Sequence, residues 1–214
     1  MKYIFVAGAP GSKWSSVVKN IYYSPSLDNS DYSDSRTYYH DASGNNQLMH
    51  LGAYFDPCME FGDKLHLMPY MSKQELEEEF DRPFSGEGVR IIKSHVFCHH
   101  LDFIRKTWPD CPIICVERDN DACLGWWVRC GHFGITYPSY SGYYKNLREM
   151  SFHIDKQNAD LRKFVKDNPS EMMYDNIELC KKLGIDLPVE LDIQNYELSN
   201  INVYLNQNLS LIHI

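Results

Sequence analysis

Lys13, Lys93, His95 and Arg118 are the side chains whose types and positions offer the most chemistry. A positioned lysine neutralises developing negative charge, a histidine moves a proton near neutral pH, and an arginine grips an oxyanion with two parallel N–H groups. Lys13 closes the stretch "GAPGSK", Lys93 and His95 end "GVRIIKSH", and Arg118 ends "CPIICVER". Each stretch follows or contains a short apolar run, so the four side chains are expected at strand ends. In a parallel sheet, that is where ligands bind. Each residue also has a plainer reading: an exposed helix lysine, a core histidine with its hydrogen bonds satisfied, or an arginine in a structural ion pair.

The elements that must position these residues are legible in outline. "YIFVAG" is a short β-rich run ended by Gly8, and "KWSSVVKNIYY" continues at helical spacing, giving the first half of a βαβ unit. "SKQELEEEFDR" opens with a Ser72 cap and an acidic first turn, so it is a helix with a solvated acidic face. "GVRIIKSH" and "CPIICVER" read as buried strands, separated by helix "HHLDFIRKTW" and the breaker Pro109. Helix "DACLGWWVRCGHF" follows, and Trp126 and Trp127 are expected in the core beneath the sheet. "YYKNLREMSFHIDKQNADLRKFVKD" reads as one long helix stopped at Asn168-Pro169, and "NIELCKKLGI" as another closed by Gly184. Strands alternating with helices predict an α/β fold of three layers, α/β/α, with a central parallel sheet. Residues 22–60, rich in Tyr, Ser, Asp and Asn, read as an irregular insertion, either a surface excursion or an acceptor-binding wall or lid. Residues 190–214 form a polar, β-like tail with no assigned place. No internal repeat or linker divides the chain, so residues 1–214 read as one domain.

The loop is not a Walker loop. That pattern needs glycine before the lysine and Ser/Thr after it to hold magnesium, whereas Ser12 precedes Lys13 and Trp14 follows it. Read without gaps, Gly8, Pro10, Ser12 and Ser15 instead fall in register with G-x-P-[KR]-S-G-T-T. In that respect the chain resembles the sulfotransferases that use PAPS (3′-phosphoadenosine 5′-phosphosulfate). "IIKSH" is similar to the K-[TS]-H strand end of the cytosolic members. Arg118 is similar to the family's strand-end arginine, which binds the donor's 3′-phosphate. The resemblance spans roughly residues 3–130 and implies a P-loop-like sulfotransferase topology. It also implies sulfuryl transfer from PAPS to a hydroxyl or amine acceptor. His95 would be the general base, with Lys13 and Lys93 facing the leaving oxygen. The donor would be held by Pro10, Gly11, Ser12, Lys13, Trp14, Ser15, Ser16 and Arg118, without a metal. The chain departs from the pattern at four points: Gly11 stands where the basic residue is usual, Lys13 where glycine is, Ser16 where the adenine-stacking tryptophan falls, and Gly125 where the 3′-phosphate serine falls. The C-terminal R-K-G element is missing. A kinase with a degenerate loop, using Asp119 or Asp121 for magnesium, and a non-catalytic binding module remain the alternatives.

Composition bounds these readings. The chain has 214 residues, 43% hydrophobic and 23% charged, as in an ordinary globular protein. A net charge of -8 argues against a general nucleic-acid binder but leaves room for a local basic pocket. The seven cysteines are scattered and form no disulfide framework. Cys98, His99, His100, Cys111 and Cys115 match no usual metal spacing. No run reaches the roughly 20 apolar residues of a membrane span. A soluble, cytoplasmic protein with free thiols and a small-molecule acceptor is expected.

Overall fold

The first strand, β1 (Tyr3–Gly8), is buried at every position, as a strand covered on both faces must be. It lies inside a six-stranded sheet in the computed structural model, which describes residues 1–31, 53–55, 62–129, 146–188 and 200–207. The other strands are β2 (Ala53–Tyr54), β3 (Arg90–Lys93), β4 (Ile113–Glu117), β5 (Ser170–Met173) and β6 (Asn202–Asn206). Their spatial order is β2-β3-β1-β4-β6-β5. β2, β3, β1 and β4 run parallel.

The expectation of a wholly parallel sheet is corrected at one edge. β6 is antiparallel to both β4 and β5, so the sheet is mixed. The polar tail therefore contributes an interior strand, its Val203 and Leu205 buried against the sheet's neighbours. β5 follows Pro169 directly, with no helix between.

Helices cover both faces. On one side α1 (Trp14–Tyr22) and α6 (Asn176–Leu183) pack over Ile4, Val6, Ile114 and Val116. On the other, α2 (Lys73–Asp81), α3 (Leu101–Thr107) and α5 (Leu147–Asp167) pack over Tyr3, Phe5, Ile113 and Cys115. α2 begins with the expected Ser72 cap, in a full capping box with Glu75. α6 ends at Gly184, whose φ of 66° suits a left-handed C-cap. α5 starts at Leu147, with the Asn146 side chain accepting the Glu149 N–H at 3.0 Å; residues 143–145, expected in the same helix, lie outside the described residues. α4 (Asn120–Arg129) forms where predicted, and its expected continuation through 133 also lies outside them.

The irregular segment 22–60 is anchored at both ends. Leu27 and Asp28 are buried, and Asp28 holds Arg90 of β3 at 3.2 Å. Ala53 extends the sheet at β2, and Phe55 is fully buried. Its remaining residues, 32–52 and 56–60, fall outside the description. No helix among the described residues is long and apolar enough to cross a membrane.

Candidate functional site

The order β3-β1-β4 places the end of β1 where the chain's connections reverse. From β1 the chain passes through β2 to β3 on one side, then crosses to β4 on the other. Such a reversal opens a crevice at the carboxyl ends of the strands, and residues 8–13 fill its rim.

Sterics shape this loop. A Cβ on Gly8 would sit 2.7 Å from Ser12 Oγ and 2.8 Å from the Val116 carbonyl, so no side chain fits there. Ser12 N–H donates to the Ala9 carbonyl at 3.0 Å and closes a turn. Gly11 has φ +80°, and its Cβ would lie 2.2 Å from the Cys123 carbonyl. The loop thus rests on the backbone of α4, and only glycine permits the approach. This is the physical reason that no basic side chain occupies position 11. Lys13 is also left-handed, at φ 66°, in the position where the resembled pattern has glycine. Left-handed residues thus stand on either side of Ser12, backbone of the kind from which anion-binding nests are built. α1 begins at the next residue with no acidic side chain in its first turn, so its orphan N–H groups and dipole add to the same field. The Ser16 N–H is already committed to the Lys13 carbonyl at 2.9 Å, and its side chain is exposed. The Ser12 N–H is likewise committed, to Ala9, so the N–H groups of Gly11, Lys13 and Ser15 frame the candidate nest, with Pro10 buried behind it.

Arg118 reaches the loop from β4. Its Nη1 donates to the Gly11 carbonyl at 3.0 Å, while its Nε is buried with no partner among the described residues. Its own carbonyl accepts from Asn158 Nδ2 at 2.9 Å. Trp126, nearly two turns into α4, lies beneath two cations: Lys13 Nζ stands 5.3 Å and Arg118 Cζ 6.0 Å from its ring centroid. Neither cation meets a carboxylate among the described residues. Trp126 is 37% exposed, against the expectation of a core residue; its neighbour Trp127 is 4% exposed and does pack inward. Consecutive helix positions are about 100° apart, so the core takes one of the pair.

His95 stands at the base of the same loop. It follows β3 and opens a short 3-10 turn, Val96–His99, and is only 3% exposed. Its Nδ1 lies 2.5 Å from the Gly8 carbonyl. Its ring stacks on Trp14 at 4.0 Å between centroids and 21° between planes. Trp14 is thus turned inward, at 4% exposure. A carbonyl only accepts, so Nδ1 is the donor of this contact. Lys93 is fully buried, and its carbonyl accepts the Phe55 N–H at 2.9 Å.

Sequence reasoning did not single out the amides of α5. Asn158 Nδ2 donates to Arg118 O and, at 2.6 Å, to Asn120 Oδ1, fixing the β4–α4 turn from which Arg118 projects. Gln157 is fully buried, and neither polar atom of its amide has a partner among the described residues. The signal was present: two consecutive amides interrupt the apolar stripe Met150, Ile154, Leu161, Phe164.

Burial pushes the Cys123 thiol, beside the loop, up to about 12, far from a reactive thiolate. Among the described residues no group of three or more His, Cys, Asp or Glu side chains could hold a metal ion. No protein-family model matches the chain, and no curated protein or solved structure matches it.

Proposed function

We propose that the chain transfers a sulfuryl group from PAPS to a hydroxyl or amine acceptor. One observation carries the reading: Lys13 and Arg118, with no carboxylate partner among the described residues, meet over one indole ring beside a left-handed nest at a helix N-terminus. The parallel order β2-β3-β1-β4, with the loop following the interior strand β1, supports the P-loop-like sulfotransferase topology that the sequence resemblance implies.

In this reading the N–H groups of Gly11, Lys13 and Ser15 hold the donor's 5′-phosphate, and Arg118 holds the 3′-phosphate while bracing the loop through Gly11. The acceptor oxygen attacks sulfur in line, and the bond between sulfur and the 5′-phosphate oxygen breaks. His95 takes the acceptor proton at Nε2, the nitrogen left basic by the Gly8 contact. Lys13 neutralises the departing oxygen, and Lys93, at the end of β3, is the second candidate for that role. The products are a sulfate ester and adenosine 3′,5′-bisphosphate. The buried Trp14 stands where a Walker loop would place its magnesium ligand, so binding is expected to be indifferent to EDTA.

A second reading, an anion-binding module without turnover, is favoured by the burial of His95 between Gly8 and Trp14. The kinase reading needs Asp119 or Asp121 for magnesium, but Asp119 already caps α4 by accepting the Ala122 N–H at 3.0 Å.

Calorimetric titration separates the three. Micromolar, EDTA-insensitive binding of adenosine 3′,5′-bisphosphate, together with label transfer from PAPS to pooled phenols, alcohols, sugars or amines, supports the enzyme. Tighter, magnesium-dependent ATP binding would sink it in favour of the kinase, and bisphosphate binding with no transfer to any pool selects the module.

A further inference from the structure

We propose that Trp126 is a positioning residue of the anion site, an aromatic platform that holds the Lys13 ammonium and the Arg118 guanidinium together for one ligand carrying at least two negative charges. The inference rests on the anion-binding half of the reading above and not on sulfuryl chemistry.

Two long cationic side chains of like sign repel each other and lose rotamer freedom when held in place. Carboxylates are the usual remedy, and the chain has 29 acidic residues to draw on. Elsewhere it uses them: Arg90 pairs with Asp28 and Asp81, and Arg162 with Glu117. At the loop an indole does the work instead. A ring face attracts a cation without neutralising it, so both charges stay available to a ligand. Trp126 is 37% exposed on α4, so its place is not explained by core packing. An independent pointer to a ligand lies in the loop itself. Ser12 is fully buried, and its Oγ has no hydrogen-bond partner among the described residues. α1, nine residues long, presents its N-terminus at the same place.

The test is calorimetric titration of the full chain with inorganic pyrophosphate at low salt, without magnesium. Wild type and Trp126→Phe should bind within about threefold of each other, because phenylalanine keeps a ring face. Trp126→Leu should bind about five- to hundredfold more weakly, the effect of freeing two long side chains that the site must then immobilise. Equal affinity in wild type and Trp126→Leu would overturn the proposal, as would Trp126→Phe binding as weakly as Trp126→Leu, or no pyrophosphate binding by wild type. A second measurement decides the matter even if Trp126→Leu does not fold. Pyrophosphate should change the indole emission of wild type, and the change should vanish in Trp126→Phe; a change undiminished in that variant overturns the proposal. Pyrophosphate carries no adenosine. If adenosine 3′,5′-bisphosphate binds no better than pyrophosphate, the donor assignment falls while the platform stands.

Discussion

His95 Nδ1 lies 2.5 Å from the Gly8 carbonyl and so ties the turn after β3 to the last residue of β1. The same imidazole stacks on Trp14, the first residue of α1. One side chain thus spans both ends of the loop that it would serve. His95→Ala removes the donor from a buried carbonyl and should lower stability by about 1–3 kcal/mol. In a chain of this size, each kcal/mol shifts the melting temperature by about 2–4 °C. His95→Phe keeps a ring on Trp14 but no donor, and should fall between. If the proposed base role holds, turnover drops about 10²- to 10⁴-fold in both variants. Unaltered turnover in the phenylalanine variant would remove His95 from the chemistry and leave it a brace.

Gly11 and Gly125 should respond oppositely to a methyl group. At Gly11 the Cβ would meet the Cys123 carbonyl at 2.2 Å, and φ is +80°. Gly11→Ala should therefore cost at least about 1–3 kcal/mol in backbone strain and abolish bisphosphate binding by lifting the loop from α4. At Gly125, within α4, a Cβ meets nothing within 4 Å. Gly125→Ala should raise stability by about 0.5–1 kcal/mol through helix propensity. Thermal melts of the two variants decide the matter, and a stable Gly11→Ala that binds normally would contradict the loop geometry.

Arg118 both braces the loop at Gly11 and faces the ligand. Arg118→Ala should weaken adenosine 3′,5′-bisphosphate by about ten- to a hundredfold, the value of a charge-assisted contact of roughly 1.5–3 kcal/mol. AMP, which lacks the 3′-phosphate, should lose less, only the share due to a slackened loop. Equal losses for the two nucleotides would show that Arg118 acts on the loop alone.

His100 sets a pH dependence away from the site. Burial, then the neighbouring His99 and His66, lower its pKa to about 4 from the ordinary 6.5. The unfolded chain therefore binds this proton first as pH falls, and stability declines between about pH 6.5 and 4. His99 pairs with Asp160 at 2.6 Å, and that carboxylate opposes the shift. Melting temperature measured across this window should fall with pH in wild type and more shallowly in His100→Gln. Parallel curves would place the dependence elsewhere.

Much of the parallel half of the fold was legible because β1, β3 and β4 are nearly continuous apolar runs bounded by Gly or Pro, as strands buried on both faces must be. β5 was not: "SEMM" sits at the sheet edge, where one apolar residue, Met173, suffices. β6 lay in a tail whose polar residues, such as Asn202 and Asn206, are occupied by Glu117 and the Pro169 carbonyl, partners remote in sequence. The loop was legible by type and register, but the reason for Gly11 was not. It depends on the backbone of α4, more than 100 residues later, pressing against it. Trp126 was misplaced because "WW" on a helix does not say which ring faces inward.

Gln157 gives the sharpest separation of stability from function. It sits on α5 between Ile154, which shares a buried cluster with Ala9 of the loop, and Leu161, which belongs to the core cluster that includes Ala7 of β1. Its side chain is fully buried, yet both amide atoms lack a partner among the described residues. Burying an unsatisfied polar group costs about 1–3 kcal/mol. Methionine has nearly the same shape, and its thioether asks for no hydrogen bond. Gln157→Met should therefore raise stability by about 1–3 kcal/mol, or several degrees in melting temperature. A stabilising change beside the loop should exact a loss where the amide meets a ligand, as buried polar groups at functional sites commonly do. Stability and pyrophosphate or bisphosphate affinity are then read on the same sample. A stable variant with weakened binding places Gln157 in the site, and a stable variant with unchanged binding makes it a tolerated core defect. A destabilised variant would show that the amide is satisfied in solution, and the expectation would fail.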